Sequence, residues 1–365
     1  MQEKHPIKYF APSWPALVMG TGGLGNILWK WQQNFLPARY GAILLAAIAL
    51  VSYVIITIIW LIRWARYTGY AVRDLHDPIA SNFYVTTGIS TVIIATNVSN
   101  IWSTWMKPSQ VYGVCLTLWI ISCLIVVLCT FYITSRHYLA HRAYDPQMIN
   151  FAWLMAPIAN MAVQLAGCPV FNMSLEFAPD LSLTIFVVNT LFFGSGFFLF
   201  IFVSAFVHSR FVMAQISSPA TTPTFGIFLS AVGLASGTLH DLGENAVSLH
   251  LLSSADLIYL LSTAIWGFGL WIIGIIFIVC IYHAKHEGMP FKLSWWAFTF
   301  PLAAYTIAGL KVSAAYPCAL TFGLALLLTI LLAVLWVYIF ANTLIGIGNG
   351  SLFLGTPLMR DTEDT

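Results

Sequence analysis

Charge is what this 365-residue chain has least of. Asp, Glu, Lys and Arg make up 8% of it, against roughly 25% in a soluble domain. Its 15 Lys and Arg nearly balance 13 Asp and Glu, leaving a formal net charge of +2. So few ionised groups cannot cover a protein this size with a water-facing surface, which excludes a soluble enzyme and a disordered scaffold. No basic block stands out, which excludes nucleic acid as a partner. Metal and redox patterns are missing too. Cys115, Cys123, Cys129, Cys168, Cys280 and Cys318 form no CxxC pair, so each reads as a small buried hydrophobe, and no metal or cofactor is expected. The opening MQEKHPIKYFAPSW lacks a short apolar run ending in a small-residue cleavage site, so no removable signal peptide is expected.

Apolar length is what the chain has. Hydrophobic residues are 59% and aromatic ones 15%, and Trp and Tyr gather at membrane interfaces. A spanning helix needs roughly 20 mostly apolar residues. Ten stretches qualify, near 12–30, 41–62, 82–103, 111–134, 150–167, 181–207, 222–239, 255–283, 294–312 and 317–343. The expected fold is an all-α polytopic membrane protein. Residues 1–11 form a cytoplasmic N-terminus, 12–343 the ten-helix transmembrane domain and 344–365 a cytoplasmic tail. The period-2 alternation of an outer-membrane barrel is absent.

Basic residues orient this partition. Lys4, Lys8, Arg63, Arg66, Arg73, Arg136, Arg142, Arg210, Lys285, Lys292 and Arg360 share one side, leaving Lys30, Arg39, Lys107 and Lys311 on the other. That bias places both termini in the cytoplasm. Glu176, Asp180, Asp241, Glu244 and Asp256 then fall in loops on the outer face.

Odd-numbered stretches carry the helix-disturbing residues. Pro15, Gly20, Gly22, Gly23 and Gly25 lie in the first, Gly88 in the third, and Pro157 and Gly167 in the fifth. Pro223, Gly226 and Gly233 lie in the seventh, Pro301 and Gly309 in the ninth. Such residues are tolerated in membrane helices where neighbours or a wet cavity take up freed backbone groups. Five hairpins follow, each pairing a kinked inner helix with a straighter outer one. Gly20, Gly22, Gly23, Thr87, Gly88, Pro157, Gly226 and Ala303 are the candidate pore-lining positions. Close helix packing is the competing reading of the glycines. No Asp, Glu, Lys or Arg sits in mid-stretch, which argues against a carboxylate-driven pump.

Lys30, Lys107 and Lys311 each end an odd stretch on the outer side. They could draw anions to a pore mouth, or simply extend to the interface as helix-end lysines do. In the ninth stretch Pro301 deprives the Ala297 carbonyl of its helical partner, so the helix should bend beside Phe300. That ring could plug a lumen or pack between helices, and physics alone does not choose. His137 and His141, four apart, and the group His240, Asp241 and Glu244 could each begin a metal site, but neither brings a full ligand set. His208, His137 and His141 are the candidate titrating groups of a proton-coupled carrier.

Two motifs carry a resemblance. WPALVMGTGGLGN (14–26) and WWAFTFPLAAYTIAGLK (295–311) resemble helices of the tellurite-resistance/dicarboxylate transporter (TDT) family. That family includes TehA, fungal malic-acid and sulfite carriers and the plant slow-type guard-cell anion channels. Trp153, Pro157 and Asn160 are similar as well. The resemblance covers essentially the whole chain. It implies ten helices in five hairpins around a quasi-fivefold central pore, usually as a homotrimer in the plasma membrane. By the segment Thr299-Phe300-Pro301, it implies that Phe300 is the pore gate beside the Pro301 kink. The expected function is a membrane anion channel or facilitator for chloride, nitrate or similar small anions, not an enzyme. The alternative is a C4-dicarboxylate or sulfite carrier, possibly proton-coupled. The long termini through which the plant channels are phosphorylated are not seen, so kinase regulation is not expected.

Overall fold

A computed structural model describes residues 5–139, 148–213 and 219–353. Lys4, His141, Arg142 and Arg360 lie outside them. Among the described residues helix is the only regular structure. The chain runs α1 (Pro15–Trp31), α2 (Leu36–Arg66), α3 (Thr68–His76), α4 (Thr86–Asn100), α5 (Pro108–Tyr138) and α6 (Met155–Phe177). It continues through α7 (Pro179–Met213), α8 (Phe225–Ser248), α9 (Asp256–His286), α10 (Trp296–Ala315) and α11 (Ala319–Gly348). Pro15 opens α1 and Pro108 opens α5, where a missing N–H costs nothing.

Each of the ten apolar stretches falls on a helix. Seven helices are long and apolar enough to cross a membrane, namely α2, α5, α6, α7, α8, α9 and α11, the α6 and α8 spans counted with the turns that open them. The number rises to eight if the bent pair 68–76 and 80–100, angled at 109°, is one broken span. The first and third stretches yield short helices, 17 residues in α1 and 15 in α4. The 20 residues of α10 include Lys311 and Pro301. These helices are covered by protein, so they need neither the length nor the uniform greasiness that lipid contact demands.

Burial separates two layers. In α2, α5, α7, α9 and α11 only 17–28% of the most apolar stretch is buried, whereas the figure is 83% for α6 and 94% for α8. Leu128, Phe131, Leu191, Phe202, Leu257 and Phe277 stand exposed on the outer helices. On a protein surface an apolar belt of this extent is a lipid-facing one. The inner helices touch in the order α1, α4, α6, α8, α10 and back to α1. Each outer helix packs on the inner helix that precedes it, α3 lying between the first two pairs.

Lipid supplies no hydrophobic force between helices, so small residues and polar bonds must hold the layers together. Trp336 Nε1 donates to Thr21 Oγ1 at 3.0 Å and Trp31 Nε1 to Thr329 Oγ1 at 3.1 Å, fastening α11 to α1. Trp119 Nε1 donates to Asn189 Oδ1 at 3.2 Å, and Asn160 Nδ2 to Thr130 Oγ1 at 2.7 Å. Trp266 and Tyr305 stack at 5.2 Å and exchange bonds, each donating to the other's carbonyl. Below α2, Arg63 and Asp74 form a buried ion pair at 2.6 Å that fixes α3.

Tight seams are set by glycines. A Cβ on Gly233 would lie 2.6 Å from the Tyr305 backbone, which cannot yield, whereas on Gly237 its nearest neighbour would be 3.6 Å away. Gly233→Ala should therefore cost about 1–3 kcal/mol through overpacking. Gly237→Ala, which gains helix propensity, should be neutral or stabilising. Thermal unfolding of the two purified variants, followed by loss of the monodisperse peak, checks the contrast. Equal behaviour of the pair would remove the packing account.

Candidate functional site

Residues of the five inner helices border two cavities. The larger, about 510 Å³, opens where these helices end. Asn26 and Lys30 of α1, Thr96 and Asn100 of α4, Cys168 and Asn172 of α6, Asp241 and Glu244 of α8, and Lys311 of α10 line it. The smaller, about 20 Å³, has room for about one water. It is bordered by Met19, Thr86, Met155, Ile227, Ser230 and Phe300, again drawing on all five inner helices. Phe300 is buried, 3% exposed. From Phe300 to Ile307, which lines the larger cavity, is seven residues of α10, about 10 Å along the helix. Between the cavities the helical period carries the same faces through Gly23, Ile89, Ala162, Leu234 and Ala303. All five are buried.

Pro301 sits inside α10 with the Ala297 carbonyl freed beneath it. A Cβ on Gly226 would come within 2.4 Å of that carbonyl oxygen, so α8 closes over the bend because residue 226 has no side chain. Thr299, on the next position, donates to the Trp296 carbonyl at 3.0 Å and fills the space beside Gly20. The turn that carries Phe300 is thus clasped from both sides, by α1 and by α8.

The expected lining positions occupy varied places. Gly20 and Gly226 abut α10, Gly22 abuts Ile93 and Asn97, and Gly88 abuts Val126 of α5. The Pro157 carbonyl lies beneath Gly196 of α7. Thr87 is half-buried and its carbonyl accepts from Ser90 and Thr91. Gly23 and Ala303 face one another, a Cβ on the former meeting the latter's at 3.0 Å. None of the eight borders either cavity directly. Of the three outer lysines, Lys30 and Lys311 line the larger cavity, while Lys107 precedes α5 and lines neither.

The structure corrects the sequence reading at the five outer acids, which belong to helices and not to loops. Glu176 falls in the last turn of α6, Asp180 and Asp256 in the first turns of α7 and α9, and Asp241 and Glu244 in the last turns of α8, because that helix runs on to Ser248. The larger cavity is therefore charged on its wall: Lys311 Nζ pairs with Asp241 and donates to the Gly237 carbonyl at 3.1 Å. His240 faces Glu244 at 3.5 Å and stacks on Tyr259 at 4.2 Å. Among the described residues no group of three His, Cys, Asp or Glu is placed to hold a metal ion. His137 stacks on Trp153 at 3.8 Å, and His208 packs among Phe151 and Phe228, its Nδ1 donating to the Ser204 carbonyl at 2.8 Å. Neither histidine borders a cavity.

Sequence reasoning passed over a neutral shelf opposite these charges. Asn26 Nδ2 donates to Thr96 Oγ1 at 2.9 Å, and Asn100 Nδ2 donates to Asn26 Oδ1 at 3.0 Å. A survey of ionisable groups cannot find amides. Two asparagines in otherwise apolar stretches were the available signal.

Inner helices that jointly border two cavities, wrapped by lipid-facing outer helices, define a multi-pass membrane transport protein. The chain belongs to the voltage-dependent anion channel family, whose sequence model matches residues 9–344. It is 28% identical to an uncharacterized transporter of Methanocaldococcus jannaschii over 82% of each chain. It is 23% identical to a sulfite efflux pump of Arthroderma benhamiae, over 92% of this chain and 90% of that one. A putative malic acid transport protein of Schizosaccharomyces pombe is 24% identical over 80% of this chain and 69% of its own. These relatives agree with the resemblance to the dicarboxylate transporter family carried by the first and ninth stretches.

Cavity size yields a test. In a Cys168→Ser, Cys318→Ser background, a bulky hydrophilic maleimide should modify Asn172→Cys rapidly and Ser230→Cys barely at all, read by intact mass over time. Comparable rates would mean that the small cavity is no separate compartment.

Proposed function

We propose that this protein is a passive conduit for small anions, closed in the described state by Phe300. The carrying observation is that Phe300, beside the Pro301 kink, borders a cavity to which all five inner helices contribute. In this reading ten spans form five hairpins around a quasi-fivefold axis, the short helices α1, α4 and α10 being shielded from lipid by their partners. An anion leaving the larger cavity meets small side chains, helix dipoles and amides rather than a fixed cation. Binding that weak lets it exit as readily as it enters. Rotation of the Phe300 side chain joins the two cavities, and the clasp on α10 keeps the backbone still while it turns. The positive-inside bias places both termini in the cytoplasm and the larger cavity outside. The family resemblance adds the plasma membrane and a homotrimer of separate pores.

A second reading is a carrier for sulfite or a C4-dicarboxylate. It is favoured by relatives named for sulfite and malic acid, and by the titratable wall of His240, Asp241 and Glu244.

Reconstituted liposomes loaded with chloride, nitrate, sulfite or malate separate these readings. Phe300→Ala should raise anion conductance about tenfold or more over the wild type, the order of a barrier lowered by ~1.4 kcal/mol. Unchanged current in a well-folded variant would sink the gate. A reversal potential that follows the anion gradient alone supports the conduit, and one that moves with a pH gradient supports the coupled carrier.

A further inference from the structure

The wall of the larger cavity carries opposed charges in equal number. Lys30 and Lys311 stand against Asp241 and Glu244, with His240 beside them. For the antechamber of an anion path this balance is unexpected, because each carboxylate cancels the attraction that a lysine provides. The two acids are not equivalent. Glu244 is about half exposed and shared between His240 and the Tyr259 hydroxyl. Asp241 has a side chain only 9% exposed and is joined to Lys311, whose own side chain is 24% exposed. Lys311 also donates to the Gly237 carbonyl, one turn before Asp241 on the same helix. Its ammonium is thereby drawn onto the α8 wall and away from the cavity's centre.

We infer that Asp241 is a specificity-determining residue that attenuates anion attraction by holding the Lys311 ammonium. This rests on the conduit reading above. Losing the carboxylate's charge leaves Lys311 with one neutral carbonyl as partner and gives the wall a net positive charge. A focused field of that kind acts on capture of the ion, acts more on dianions than on monoanions, and is screened by salt. The native balance therefore disfavours dianions, and the acid side of the pair, rather than the lysines, decides which ions are admitted.

Liposome flux of chloride and of sulfate, each at low and high ionic strength, tests the inference with Asp241→Asn, Lys311→Gln and the double variant. At low ionic strength Asp241→Asn should raise flux several-fold, within the 10- to 10³-fold range electrostatic focusing can reach, and should raise sulfate more than chloride. High salt should erase the gain. Lys311→Gln should lower flux, and the double variant, which restores neutrality, should return towards wild type. An Asp241→Asn protein that conducts as before, or whose change is the same at both salt concentrations, overturns the inference. Should Asp241→Asn fail to fold, Asp241→Ser removes the same carboxylate and frees the same ammonium. A salt-sensitive gain there supports the inference, and its absence overturns it. Wild-type liposomes without anion flux would instead overturn the conduit reading itself, so the two failures are told apart.

Discussion

The close seat of α10 on α1 and α8 is the constraint from which the rest of the architecture follows. Gly20 leaves room for Thr299, Gly226 for the freed carbonyl of Ala297, and Gly233 for the backbone of Tyr305. Where no water drives helices together, contact at this range supplies the dispersion energy that a soluble core would draw from burial. Three absent side chains thus decide how near the inner helices stand, and the spacing of those helices decides the width of whatever runs between them. The same three contacts make the α10 bend a supported feature. The carbonyl that a proline leaves unpaired costs several kcal/mol in hydrocarbon, and here that of Ala297 is covered by the neighbouring helix.

Much of this was legible in the sequence because lipid imposes blunt rules. The layer to which each helix belongs followed from whether its run was smooth or interrupted, and burial sorts the helices the same way. Membership of the family could be seen in two short motifs. The glycines were harder. Gly22 and Gly88 read equally well as lining or as packing, and they face Ile93 and Val126 because orientation around a helix needs a partner's position, which one chain does not display. Asp241 and Glu244 were misplaced for a related reason. An apolar window ends at the first charge, whereas α8 continues for two more turns under cover of its neighbours. The bonded amides Asn26 and Asn100 escaped notice because uncharged polar residues leave no trace in a charge count.

The two cavities differ in kind as well as size. One is roomy, hydrogen-bonding and lined by paired charges. The other is small and largely apolar, bordered by Met, Ile and aromatic side chains with a few hydroxyls. A hydrated ion is at home in the first and must shed water to occupy the second, so the energetic step between them lies within about 10 Å of α10. In the conduit reading, that arrangement concentrates control in a short segment and leaves the remaining helices to hold it in place.

The bonds between α11 and α1 have a consequence for biogenesis. Trp31 and Thr329 are 298 residues apart, and Trp336 reaches back to Thr21 across 315. At a synthesis rate of about 5–20 residues per second, the first hairpin waits tens of seconds in the bilayer before the partners that finish the ring are translated. Throughout that interval Asn26 and the glycine face of α1 lie towards an incomplete bundle. The nascent chain must be sheltered by the insertion machinery or by its own α2, and a premature stop before α11 leaves Thr21 and Trp31 of α1 without those partners.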